Sequence, residues 1–252
     1  MSDTFKKICR LAGNAIKDHN MIREGDHILV ALSGGKDSNV LLKVLHHLQC
    51  AAPVSFTLSG ATFDPMFEGF SADTTGNFCK SLGIDHHMIR FDIASLLEEK
   101  NLAEKPCMLC SRMRRGNLYS LARKIGANKL SLGQHLDDIC ISFLMSLCRG
   151  NGLSTMGPNV PAQSGDLRVI RPLCYVPESL IAEYAATLEL PPAGECKYKE
   201  LLQQEGDRPY FARLLESMAE RIPDLRSNML RSLSNVQAPF LLDKKYTDTE
   251  EK

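Results

Sequence analysis

Six residues, Ser33-Gly34-Gly35-Lys36-Asp37-Ser38, combine hydroxyls, a cation and a carboxylate on a backbone that two adjacent glycines leave free to bend. They follow the apolar run Ile28-Leu29-Val30-Ala31-Leu32 and lead straight into Val40-Leu41-Leu42-Lys43-Val44-Leu45. That order predicts a buried strand, a tight turn and a helix. Glycine lets the backbone come close to a ligand and take conformations closed to other residues. The first amides of the helix have no intrahelical partners and lie at the positive end of its dipole, so the turn is suited to bind phosphate. The spacing differs from the common nucleotide loop, G-x-x-x-x-G-K-[ST]. A bare Ser-Gly-Gly occurs in ordinary turns, but its place between an apolar strand and a helix favours the phosphate reading.

A second group with chemical potential is Pro106-Cys107-Met108-Leu109-Cys110-Ser111-Arg112-Met113-Arg114-Arg115-Gly116. Two thiols separated by two residues at a helix start can face one metal, and nearby arginines with the helix N-terminus favour the thiolate. Arginines at that end oppose the helix dipole, a cost that a negatively charged ligand would offset. One C-x-x-C is ambiguous. Zinc would need two more ligands, and no second C-x-x-C exists. Thioredoxin-like redox chemistry does not suit the surrounding pattern. Cys196 lies far along the chain, in a break between Gly194 and Lys197. Three cysteines without an obvious fourth suit an iron–sulfur cluster with one iron left open. The other six of the nine cysteines, Cys9, Cys50, Cys79, Cys140, Cys148 and Cys174, read as small buried hydrophobes.

The elements that must position these groups alternate. Helical patterns cover residues 3–20, 38–49, 74–82, 94–100, 110–125, 136–148, 177–188, 209–221 and 225–234. Strand patterns cover 27–32, 54–63 (broken near Ser59-Gly60), 85–91, 129–133 and 167–170. Residues 149–165, rich in Gly, Pro, Asn and Ser, read as a loop. The expectation is an α/β fold with a doubly wound, mostly parallel five-stranded sheet and added N- and C-terminal helices. It divides into an N-terminal helix (1–24), a nucleotide domain with the C-x-x-C segment (25–190), and a C-terminal helical extension with Cys196 (191–252). Such sheets bind ligands beyond the carboxyl ends of their strands. The Ser33 turn, Asp64 after the second strand, and Gly133-Gln134-His135 after the fourth all fall at that end.

Length and composition bound the rest. A chain of 252 residues with 44% hydrophobic content can bury a real core. No apolar run is long enough to span a bilayer, and residues 1–10 lack the apolar segment of a signal peptide, so the expectation is a soluble cytoplasmic protein with no membrane partner. The formal net charge is zero, yet residues 105–130 and 139–165 contain no acid. One face could therefore be positive in a neutral whole. The plainer alternative is a solvated helix face.

Taken together, Ser33-Gly34-Gly35-Lys36-Asp37-Ser38 and Cys107-Met108-Leu109-Cys110-Ser111-Arg112-Met113-Arg114-Arg115-Gly116 closely resemble the tRNA 2-thiocytidine synthetases, a group of PP-loop ATP-pyrophosphatases. The resemblance runs on through Gly126-Ala127, Leu132-Gly133-Gln134-His135-Leu136-Asp137-Asp138, Met156-Gly157-Pro158 and Ile170-Arg171-Pro172-Leu173, and covers most of residues 25–240. It implies ATP, magnesium and a three-cysteine [4Fe-4S] cluster, used to replace the 2-oxo group of a tRNA cytidine by sulfur. On that pattern Ser33, Gly34, Gly35, Lys36, Asp37, Ser38, Asp64, Gly133, His135 and Asp138 hold ATP. Lys36 and Asp37 act in catalysis, with Asp37 on magnesium and Asp138 a second candidate for it. Cys107, Cys110 and Cys196 hold the cluster, and Cys107 and Cys110 are catalytic. Arg112, Arg114, Arg115, Arg149 and Arg171 steer the RNA backbone. Partners are tRNA and a sulfur donor such as a cysteine desulfurase; a homodimer is left open. The sequence departs from the family at Gln134, where a second histidine is usual, and at Cys196, where a C-x-x-C is usual and Lys199 takes the second place.

Other readings compete. A persulfide on Cys107 or Cys110 could replace the cluster. A lysidine-type ligase would not need Cys107-x-x-Cys110, and a zinc-ribbon 2-thiouridine enzyme would need more C-x-x-C pairs. A thiolase for a small molecule or another nucleobase, or an iron–sulfur sensor or desulfurising protein, completes the set; the intact Lys36-Asp37-Ser38 argues against the sensor.

Overall fold

A run of consecutive apolar residues needs cover on both faces, and β1 (Asp26–Leu32) receives it. Ile28, Val30 and Leu32 join one buried cluster and Leu29 another, as the two-residue side-chain period of a strand requires. The computed structural model describes residues 1–67, 73–93, 95–96, 106–162, 165–188, 206–243 and 245, and of residues 106–108 the backbone alone. Around β1 lie α1 (Asp3–Asp18), α2 (Lys36–Ala51), β2 (Phe56–Asp64), α3 (Asp73–Ser81), β3 (Asp85–Arg90), α4 (Pro106–Lys124), β4 (Lys129–Ser131), α5 (Leu136–Cys148), β5 (Asn159–Pro161), β6 (Arg168–Ile170), α6 (Glu178–Ala185), α7 (Asp207–Arg221) and α8 (Leu225–Ser234). The expected helix at 94–100 and the break that carries Cys196 fall largely or wholly outside the described residues.

The sheet order is β3-β2-β1-β4-β6-β5. All neighbours run parallel except β5, which pairs antiparallel with β6. From β1 the chain first winds outward through β2 and β3, then returns to place β4 on the other side of β1. The turns leaving β1 and β4 therefore lie side by side where the winding reverses, the usual ligand position in this topology. The α/β, mostly parallel, doubly wound expectation holds, with six strands among the described residues where five were expected. The extra one, β5, lies inside the Gly- and Pro-rich stretch read as loop. Pro161 brings no amide to a ladder, and an edge position tolerates that. The expected break in the second strand is also absent. Ser59 and Gly60 stay in register with Leu29 and Val30 on one side and with Asp85 and His86 on the other.

Gly60 is there for space. A Cβ at this position would stand 2.7 Å from Cys79 Sγ and 3.0 Å from Leu32 Cδ1, so the missing side chain is what lets α3 lie close on β2. One face of the sheet carries α1, α2 and α6, with Phe5 stacked on Tyr184 at 4.6 Å. The other carries α4, through Leu118 and Ala122 against Leu29, Ala61 and Leu130. A third cluster joins α5 to the C-terminal helices, pairing Leu136, Cys140 and Leu144 with Phe211, Leu215, Leu225 and Met229; these positions recur at helical four-residue spacing.

Gly60→Ala should lower unfolding stability by about 1–3 kcal/mol through overpacking against Cys79. Gly116→Ala, on α4 where nothing lies within 4 Å of the added methyl, should raise it by about 1 kcal/mol through helix propensity. Urea unfolding of the two variants checks both signs.

Candidate functional site

The turn after β1 is held open by its own bonds. Gly34 has φ of +80°, a conformation that side-chain-bearing residues rarely take. Gly35 then caps α2 in an extended conformation without any side-chain cap. The amides of Lys36, Asp37 and Ser38 are thus left as unsatisfied donors at the positive end of α2. Gly35 N donates to Ser33 Oγ at 3.3 Å, Ser38 Oγ donates to Gly35 O at 2.9 Å, and Asn39 Nδ2 donates to Gly34 O at 3.1 Å. These bonds fix the turn while its amides remain available.

The turn after β4 comes down on top of it. A Cβ on Gly133 would lie 3.1 Å from both Asp37 C and Ser38 N, so backbone meets backbone and no flexible side chain can give way. His135 follows, almost fully buried. Its backbone N donates to Asp138 Oδ2 at 3.1 Å. Its ring Nε2 is 3.5 Å from Asp138 Oδ2 and 4.0 Å from Asp37 Oδ1, and its Nδ1 is 3.7 Å from Asp137 Oδ2. Three carboxylates thus surround one imidazole. Asp37 Oδ1 and His135 Nδ1 are buried without a hydrogen-bond partner among the described residues, although Lys36 Nζ faces Asp37 Oδ1 as an ion pair at 3.2 Å. A buried carboxylate oxygen short of a donor suits a hard cation. Among the described residues no three His, Cys, Asp or Glu side chains gather to hold a metal by themselves. Magnesium needs no such cage, since it usually takes one or two carboxylates plus phosphates and water.

Between these turns and α4 lies a cavity of about 890 Å³. Ser33, Asp37, Ser38, Gly133, Gln134 and Asp138 form one wall, and Cys110, Ser111, Arg114, Arg115 and Tyr119 form another. Cys110 is placed by apolar packing, since Leu109, Cys110 and Met113 lie against the buried cluster of Phe63, Phe67 and Ile93. Cys107 has its backbone in the first turn of α4, and Cys196 falls outside the described residues. The helix begins at Pro106, four residues before the expected start at Cys110; proline is well suited to a first helical position. Arg114 and Arg115 therefore lie past the first turn, where the dipole penalty has faded, and the expected local cost of these arginines shrinks.

The five arginines expected to meet RNA separate. Arg114, Arg115 and Arg171 line the cavity. Arg112 is exposed outside the lining. Arg149 is paired with Asp207 of α7. Arg171 is fixed by donating from Nε to Gln134 Oε1 at 2.9 Å and from Nη1 to Gly157 O at 2.5 Å; burial pulls its pKa below the ordinary arginine value. Asp64 does not line the cavity. It accepts from Met66 N at 2.8 Å and lies 3.8 Å from Arg90 Nε. Burial pushes the thiols of Cys9 and Cys79 up to about 11 and those of Cys140 and Cys174 up to about 12, which keeps them inert. Cys50 and Cys148 correct the expectation for their group, because both are exposed.

Two residues of the site escaped the sequence reading. Arg208 of α7 lines the cavity and donates to Asp138 Oδ1. Glu178 of α6 receives Lys36 Nζ on Oε1 at 2.7 Å. No local motif marks either, since each meets the site only through tertiary packing. Lys36 carries the consequence. Burial disfavours its charge, but the bond to Glu178 and the neighbouring Asp37 outweigh this and hold its pKa above the ordinary lysine value.

The PP-loop domain family matches residues 5–191. A tRNA-cytidine(32) 2-sulfurtransferase of Syntrophotalea carbinolica is 41% identical over 245 residues, 97% of this chain and 94% of the relative. One of Azotobacter vinelandii is 41% identical over 246 residues, 96% of this chain and 88% of the relative. Among solved structures, the U34-tRNA thiolase NcsA from Methanococcus maripaludis with its [4Fe-4S] cluster superposes with a TM-score of 0.74, at 21% identity, covering 93% of this chain and 80% of that one. That likeness speaks for the fold.

Gly133→Ala should weaken binding of a nucleoside triphosphate about tenfold or more, because the methyl must displace the Asp37–Ser38 backbone. Titration calorimetry, with the melting temperature as a control for folding, checks it.

Proposed function

This chain belongs to the tRNA-cytidine(32) 2-sulfurtransferase family of PP-loop proteins, and from that premise we propose that it converts cytidine 32 of a tRNA to 2-thiocytidine, with ATP as the activating substrate and magnesium on the nucleotide. The observation that carries this reading is the shared cavity: Ser33, Asp37 and Ser38 of the phosphate turn line the same space as Cys110.

The chemistry assigns roles in order. The α2 amides, with the Ser33 and Ser38 hydroxyls, hold the phosphates, and Asp37, with Asp138 as second carboxylate, holds magnesium. The pyrimidine O2 attacks the α-phosphorus of ATP; the bond to the bridging oxygen breaks and pyrophosphate leaves. O2 has then become part of an AMP leaving group. A sulfur nucleophile adds at C2, the C2–O bond breaks, and AMP departs. When bound by Cys107, Cys110 and Cys196, a [4Fe-4S] cluster supplies an iron without a protein ligand at which sulfide can be presented. Cys110 fits that role by its place on the cavity wall, beside Arg114 and Arg115, whose positive charge favours the thiolate. Arg114, Arg115 and Arg171 at the cavity, with Arg112 outside it, form a cationic path for the RNA backbone, and Arg149 joins it only by leaving Asp207. A cysteine desulfurase is the expected source of sulfur.

Protein purified without oxygen should carry about four iron and four sulfide per chain, lost in Cys110→Ala and in Cys196→Ala. A cluster retained by Cys196→Ala would contradict Cys196 as a ligand. Mass spectrometry of tRNA nucleosides from a deletion strain should show 2-thiocytidine absent, restored by the wild-type gene and not by Cys110→Ala.

A further inference from the structure

Lys36 belongs to the phosphate turn, yet among the described residues lining the cavity it is missing, while Ser33, Asp37 and Ser38 are present. Its ammonium is turned to Glu178 Oε1 at 2.7 Å and Asp37 Oδ1 at 3.2 Å. Glu178 is not a stray surface acid. It opens α6, and its backbone N donates to Asp137 Oδ2 at 2.7 Å. Asp137 is itself buried and accepts from Arg226 of α8. Just before Glu178, Val176 O accepts from Leu136 N at 3.0 Å. The start of α6 is thus fastened to the start of α5 by two hydrogen bonds, and the Glu178 carboxylate is held at a set distance from the phosphate turn.

A cation that must meet phosphates is therefore met first by a carboxylate. Both partners of that pair are partly exposed, with side-chain exposures of 37% and 49%, so the attachment is weak enough for a polyphosphate to displace. We propose that Glu178 is a positioning residue acting through Lys36: it keeps the ammonium out of the cavity between turnovers, yields it to the phosphates of ATP, and reclaims it from pyrophosphate so that this product leaves. The inference rests on the proposed ATP reading and extends it to product release. No bond is made or broken in this exchange; one ion pair replaces another. Asp37 holds the ammonium less closely, at 3.2 Å against 2.7 Å for Glu178, and Asp37 itself lines the cavity, so Glu178 is the partner that draws Lys36 away from it.

The test uses the full chain and magnesium pyrophosphate, ATP and AMP as probes, with affinities from calorimetry and pyrophosphate release from stopped flow. Glu178→Gln should bind pyrophosphate about fivefold tighter than wild type and release it slower by a similar factor, with AMP affinity unchanged. A gain in affinity is not what structural damage produces. In a Lys36→Met background the same substitution should change nothing. Glu178→Asp, one methylene shorter, should shift pyrophosphate in the same direction and stands in if Glu178→Gln does not fold. Unchanged or weaker pyrophosphate binding in the folded variant, or a gain that survives Lys36→Met, overturns this proposal while leaving the ATP reading intact. A wild-type protein that binds neither ATP nor pyrophosphate overturns both.

Discussion

The backbone of Gly133 rests so closely on Asp37 and Ser38 that a methyl at Gly133 would stand 3.1 Å from main-chain atoms of both. That contact is the constraint from which the rest of the site follows. It joins the turn after β1 to the turn after β4 at the point where the sheet reverses its winding. Asp37, His135 and Asp138 come within reach of one another because Gly133, two residues before His135, already rests on the Asp37–Ser38 backbone. Among the described residues α2 has no side-chain cap, so its first amides are left for a ligand. The strands contribute by ending together. β1 and β4 are neighbours in register, so residues more than ninety positions apart leave the sheet side by side.

A second support runs through α5. Its first turn supplies Asp137 and Asp138, and each carboxylate faces two ways. Asp138 binds the His135 backbone and Arg208 of α7. Asp137 binds the Glu178 backbone and Arg226 of α8, which also reaches Glu216. The apolar face of α5 packs on the same two C-terminal helices. The nucleotide side of the cavity is therefore braced by elements late in the chain. Changes in α7 or α8 reach the phosphate turn through two charge-assisted hydrogen bonds rather than through contact with a ligand.

Much of this was legible in the sequence because local physics determined it. The apolar run at 28–32 needed cover on both faces, the glycines at 34 and 35 marked the turn, and alternation of periods two and 3.6 gave the doubly wound sheet. Cys110 at the cavity followed from the C-x-x-C at a helix start. What could not be read was set by distance. Arg208 and Glu178 join the site from elements whose own sequences contain no motif. β5 was hidden because Gly, Pro and Asn signal a loop, and pairing at a sheet edge overrides that signal for three residues. Gly60 suggested a broken strand when its purpose was to admit Cys79. Asp64 sits at the expected strand end, but its carboxylate turns to Met66 N and Arg90. Strand position fixes where a residue lies and leaves its side-chain partner open.

On the proposed function, phosphate turn and thiol wall serve one reaction on one base in one cavity. Single-turnover assays under anaerobic conditions, with ATP, unmodified tRNA and a sulfide source, test it by counting pyrophosphate and 2-thiocytidine together. Wild-type protein should give matched amounts, and Cys110→Ser pyrophosphate without 2-thiocytidine, since activation of the base does not need the thiol. Formation of 2-thiocytidine by Cys110→Ser, or by wild-type protein without pyrophosphate release, would contradict it.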